Sequence, residues 1–139
     1  MKKEKKRIIK FRIWDSKNKE MGNVFILKQA IGKNPFDLRE TDIVMQFTGL
    51  LDKNGKEIYE GDIIKWKEKA EYIGYGECQG DFEKGKNKGV VEYIEEDCKY
   101  AAVFNEYKIN YREPIEFMEW GIEIIGNIYE NKDLLTYYN

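Results

Sequence analysis

The stretch from Gln46 to Ile64, Q-F-T-G-L-L-D-K-N-G-K-E-I-Y-E-G-D-I-I, constrains the fold more than any other part of the chain. Phe47 to Leu51 and Ile58-Tyr59 are short and rich in apolar and β-branched residues, and Asp52-Lys53-Asn54-Gly55 lies between them. Aspartate opens turns because its carboxylate accepts backbone N–H groups two residues on, while asparagine and glycine tolerate the positive φ of a tight reversal. The pattern predicts a β-hairpin. Glu60-Gly61-Asp62 supplies a second reversal, and Ile63 to Trp66 leaves it as a new strand. Strands joined by so few residues are expected to be antiparallel neighbours.

Similar patterns extend in both directions. Ile9, Phe11 and Ile13 alternate with Lys10 and Arg12, the period of a half-buried strand. Asp15 to Lys19 reads as a turn, and Val24 to Leu27 as a strand pairing back on the first. Asn34-Pro35 breaks that strand, and Phe36 to Val44 is expected to form a short helical turn. Gly89 to Ile94 resumes a strand, and Tyr100 to Ile109 alternates as one more. Met118, Trp120, Ile122, Ile124 and Ile128 share a face of the last strand, where Gly126 suggests a bulge or a close backbone contact. Residues Asn131 to Leu135 are expected to add a terminal helical turn. The expected class is mainly β with minor α: a small SH3-like antiparallel barrel core whose glycines let strands bend at the corners. It carries a glycine-rich excursion from Lys67 to Lys88 that is either a short hairpin of its own or a functional loop. A β-sandwich and a larger α+β arrangement are the alternatives.

Three blocks also carry a resemblance. Met45 to Ile64, the opening F-R-I-W-D (Phe11 to Asp15) and the closing I-I-G-N-I-Y-E-N (Ile124 to Asn131) resemble, in order, the YopX family of bacteriophage and prophage proteins. The resemblance spans nearly the whole chain. It implies a mostly β fold from a phage or prophage and an uncharacterised role, and it brings no catalytic residues. The stretch from Lys67 to Lys88 lies outside it.

The length of 139 residues suits one domain, 1–139, with a core of its own, and ten Tyr, seven Phe and three Trp supply bulk for it. Lysine and arginine number 24 against 26 acidic residues, and this balance argues against a broad polyanion-binding surface. The basic start, Lys2 to Arg7, is read as a solvated terminus in preference to a nucleic-acid arm. No apolar run approaches the roughly 20 residues of a membrane span, and no apolar region follows the basic start as in a secretory signal. The expectation is a protein of the bacterial host cytoplasm, with Cys78 and Cys98 reduced.

Several chemistries fail on residue types alone. The chain has no histidine, which excludes Ser-His-Asp and Cys-His machinery and the usual zinc hydrolase sites. Gly80 to Asn87, G-D-F-E-K-G-K-N, nearly matches a phosphate-binding loop, but Asn87 stands where the hydroxyl belongs and a strand pattern follows in place of a helix. Asp52 to Ile63 fails as a calcium loop, because the closing place falls on Ile63. The acidic groups Glu57, Glu60, Asp62 and Glu95, Glu96, Asp97 suit acid–base work or magnesium binding, yet composition alone explains them as solvated turns. A carboxylate-and-metal hydrolase is accordingly the weakest reading, and no cofactor is expected.

Interleaved lysines and aromatics are the remaining suggestion: Lys65, Trp66, Lys67, Tyr72, Tyr75, Lys84, Lys86 and Lys88. Exposed rings stack bases while lysines meet phosphates, so these residues are candidates for contact with a partner or with single-stranded nucleic acid. Burial of Trp66 and Tyr72 in the core or against another subunit is preferred. The sequence therefore predicts a non-enzymatic module acting through protein contacts and self-association, with nucleic-acid binding as the alternative.

Overall fold

The computed structural model describes residues 7–27, 38–66, 88–106, 109–115 and 121–135. The architecture is mainly β, with a curled half-barrel sheet. In chain order the strands are β1 (Lys10–Asp15), β2 (Glu20–Met21), β3 (Phe25–Ile26), β4 (Asp42–Leu51), β5 (Glu57–Tyr59), β6 (Asp62–Lys65), β7 (Lys88–Ile94), β8 (Lys99–Glu106), β9 (Ile109–Pro114) and β10 (Glu123–Asn127). A short 3-10 helix, Lys132–Leu135, follows where a terminal helical turn was expected.

The strands form two five-stranded sheets. One has the order β2-β1-β4-β5, with β3 also on β1, and the other runs β10-β6-β7-β8-β9. Each of these pairings is antiparallel.

The hairpin of β4 and β5 forms as the turn residues dictate. Phe47 faces Tyr59 and Leu51 faces Glu57, with an irregularity between the two pairs. Gly49 and Gly55 both hold positive φ there, of 88° and 81°. Asp52 fastens the turn. Its Oδ1 accepts the N–H of Asn54 at 2.8 Å and of Lys56 at 2.9 Å, and its Oδ2 accepts the N–H of Ile124 at 3.2 Å. One buried carboxylate thus ties the hairpin tip to the start of β10. Burial pushes this carboxyl up, but the N–H groups of Lys56, Ile124 and Asn54 outweigh that and hold it below its ordinary value.

The second reversal behaves differently from expectation. β6 does not pair with β5. It runs between β10 and β7, so Glu60-Gly61 is a corner where the chain leaves one sheet for the other. Gly61 takes a φ of 80°, its N–H donates to Val91 O at 2.8 Å, and its carbonyl accepts from Ile128 N at 2.9 Å. These bonds to the second sheet take the place of a continued hairpin ladder.

Three other expectations are corrected. Asp42 to Val44 belong to β4 and not to a helical turn; Phe36 and Asp37 lie outside the described residues. The alternating run from Tyr100 to Ile109 is divided, since β8 ends at Glu106 and Ile109 opens β9, paired back upon it. On β1, Arg12 does not sit on a solvent face: it lies on the side shared with buried Trp14, and only 12% of its side chain is exposed.

The core collects Ile58, Ile64, Trp66, Val91, Ala102 and Ile122 from β5, β6, β7, β8 and the approach to β10. The irregularity expected near Gly126 is present, as the β10–β6 register shifts between Ile124 and Gly126. Gly126 also allows a close approach, because a Cβ there would lie 2.6 Å from Asn131 Oδ1.

Candidate functional site

The Glu60-Gly61-Asp62 corner holds a buried carboxylate, Asp62, and a half-buried one, Glu60. Asp62 opens β6 and is 2% exposed, so the solvated-turn reading does not hold for it. Its Oδ2 accepts the N–H of Tyr59 at 2.8 Å, while its Oδ1 lies 2.6 Å from the Arg12 guanidinium. Burial pushes the Asp62 carboxyl above its ordinary value, against the pull of Arg12 and the Tyr59 N–H.

Arg12 is held on several sides. The guanidinium lies over the Tyr59 ring at 4.7 Å, and its Nη2 also donates to Glu60 O at 3.3 Å. Its Nε is buried and has no hydrogen-bond partner among the described residues. A planar guanidinium suits this place because it can stack on a ring and donate in several directions at once. The pair joins β1 of one sheet to β6 of the other, beside Trp14 stacked on Tyr129 at 5.3 Å.

Two clefts flank the corner. One, of about 230 Å³, is polar and bounded by Arg12, Lys56, Asp62, Asn127, Glu130 and Asn131. The other, of about 280 Å³, is bounded by Met45, Glu60, Gly61, Tyr93, Ile128 and Tyr129. In it, Glu60 Oε2 accepts the Gln46 N–H at 3.3 Å, and the Glu60 N–H donates to Gln46 O at 3.0 Å. Burial raises the Glu60 carboxyl, and the single Gln46 N–H opposes this.

The other acidic residues are engaged separately. Glu57 meets Lys10 at 2.8 Å and the Tyr59 hydroxyl at 3.1 Å. Burial, with the Glu57 hydrogen bond and charge, pushes that Tyr59 hydroxyl up to about 12. Glu95, Glu96 and Asp97 are exposed around the β7–β8 turn, which also carries the free Cys98. Among the described residues no group of three His, Cys, Asp or Glu side chains is placed to hold a metal ion.

Of the lysine and aromatic candidates, Lys65, Trp66 and Lys88 are among the described residues. Lys65 reaches Glu123 at 3.0 Å, sharing it with Lys53 at 2.9 Å. Trp66 is 8% exposed and packs in the core, as the preferred reading had it. Lys88 opens β7 opposite Lys65. Lys67, Tyr72, Tyr75, Lys84 and Lys86 lie outside the described residues, as do Cys78 and the Gly80–Asn87 run. No helix among the described residues is long and apolar enough to cross a membrane.

Residue types alone missed the Arg12–Asp62 pair. The signal was present: an arginine between Phe11 and Trp14, and an aspartate leading an isoleucine pair directly after a glycine.

Among solved structures, the chain is similar to the crystal structure of protein EF1440 from Enterococcus faecalis. The identity is 22%, over 93% of this chain and 99% of that one, with a TM-score of 0.46. No curated protein matches it. Among protein families, the one described as YopX protein matches residues 2–136. That match takes in the β1 strand, the hairpin and its corner, and the closing β10 segment, and the chain belongs to the YopX family.

Proposed function

We propose that this YopX-family chain is a non-enzymatic interaction module of phage or prophage origin, working through protein contacts and self-association in the cytoplasm of a bacterial host. One observation carries the reading. At the β1–β3 edge, Ile8, Val24 and Leu27 are 54%, 51% and 40% exposed, and among the described residues no strand pairs the far side of the two-residue β3. Exposed apolar side chains beside open backbone N–H and C=O groups favour addition of another chain. The carboxylates of Asp52, Asp62 and Glu123 are engaged by backbone N–H groups, Arg12 and lysines, which suits structural rather than catalytic work.

Light scattering on the intact chain tests this. A mass above the monomer at micromolar concentration, lowered by Val24→Lys or Leu27→Lys, is the expected result. A monomer at every concentration overturns self-association. Nucleic acid is the competing partner, and salt-sensitive binding of a single-stranded oligonucleotide would favour it instead. Heat of magnesium or manganese binding that Asp62→Asn abolishes would favour the hydrolase reading.

A further inference from the structure

The cleft containing Glu60 has a wall chemistry that fits one kind of group. Its floor at Gly61 has no side chain, and a Cβ there would meet Met45 Sδ at 3.1 Å and the Tyr129 ring at 3.6 Å. Its aromatic sides are fixed: Tyr129 stacks on Trp14, and Tyr93 packs edge-on against Tyr100 with centroids 5.2 Å apart. Tyr93 nonetheless leaves 45% of its surface open. Burial raises the Tyr100 and Tyr129 hydroxyls; the Glu60 charge adds to both, while Arg7 near Tyr100 and Arg12 near Tyr129 pull the other way.

Among the described residues this half-buried carboxylate has no counter-charge. It accepts one backbone N–H and makes no ion pair among the described residues. The cation beneath the corner, Arg12, gives its charge to Asp62 and touches only the Glu60 carbonyl. Glu92 adds a second, exposed carboxylate at the rim. Fixed tyrosine rings beside an uncompensated carboxylate attract a cation through both the ring faces and the charge.

We propose that this groove receives the lysine or arginine side chain of a partner protein, its charge meeting Glu60 and its stem lying against Tyr93 and Tyr129. The proposal rests on the interaction-module reading and names the kind of contact one face of that module makes.

The test is a titration followed by amide NMR, with N-acetyl-lysine methylamide as probe and N-acetyl-norleucine methylamide as its uncharged counterpart. The lysine probe should shift the amides of Gly61, Val91, Tyr93 and Ile128 saturably, and norleucine should not. Glu60→Gln should weaken the lysine response about five-fold, the scale of a charge-assisted contact in a partly buried site. Tyr93→Ala, which alters a half-exposed ring, should weaken it as well, and it serves if Glu60→Gln does not fold. An unsaturable response, an equal response to both probes, or undiminished binding by the folded variants overturns the proposal. A wild-type chain that self-associates but ignores the lysine probe defeats the groove alone. One that binds the probe yet stays monomeric defeats self-association alone.

Discussion

The guanidinium of Arg12, on β1, lies 2.6 Å from the carboxylate of Asp62, on β6, and both side chains are almost wholly withdrawn from solvent. Removing one member of such a pair strands a charge in the interior, which costs far more than the intact pair contributes.

Asp62→Ala is therefore expected to cost about 3 kcal/mol in urea unfolding. Arg12→Met should cost a similar amount, because Asp62 then keeps only the Tyr59 N–H. The double variant should recover part of the summed loss, since neither charge is left alone. Strictly additive losses would show that the two residues act independently.

Gly61→Ala should destabilise by about 2 kcal/mol, combining the left-handed backbone with a crowded Cβ. The φ is 80°, and the added carbon would press on Met45 Sδ at 3.1 Å. Gly49→Ala is the control, with a φ of 88° and open space around its Cβ, and it should lose only the backbone share. Equal losses at both positions would remove the packing argument.

Tyr59 sets an alkaline limit. Burial and the neighbouring Glu57 raise its hydroxyl from 10 to about 12 in the folded chain. The contribution is complete below pH 10, where the unfolded tyrosine is still neutral, and is lost as pH rises through about 12. Melting temperature measured across that interval should fall less steeply in Tyr59→Phe than in wild type, once the lost Glu57 hydrogen bond is allowed for at pH 8. Parallel profiles would rule the residue out.

Asp15 gives the opposite sign at acid pH. The Asn18 N–H leads the groups that lower its carboxyl, followed by Arg39, from 3.8 to about 2. Its stabilising effect is present above pH 3.8 and disappears as pH falls through about 2. Asp15→Asn should flatten the acid limb of a stability profile between those values, read by circular dichroism. An unchanged limb would place the acid transition elsewhere.

Legibility in the sequence followed the range of the forces involved. The Asp52–Gly55 turn could be read because turn chemistry acts within four residues, and β4 and β5 form around it. Gly126 was legible for the same local reason. The departure of β6 from β5 was not, since the choice between two sheets depends on β7, about 25 residues on in sequence, and on β10, about sixty residues on. Arg12 was misplaced because alternation counts polarity and cannot register a distant carboxylate that makes burial tolerable. Trp66 fell to the core because buried aromatic area outweighs the lysines on either side of it.

The placement of β6 also sets an order of events during synthesis. Its edge toward β10 stays open until Glu123 to Asn127 have left the ribosome, so a nascent or truncated chain shows two fully apolar isoleucines, Ile63 and Ile64, beside unpaired backbone. Fragments ending before residue 123 should precipitate or recruit chaperones. Of the described strands, the one made latest is the one that renders the earlier ones safe.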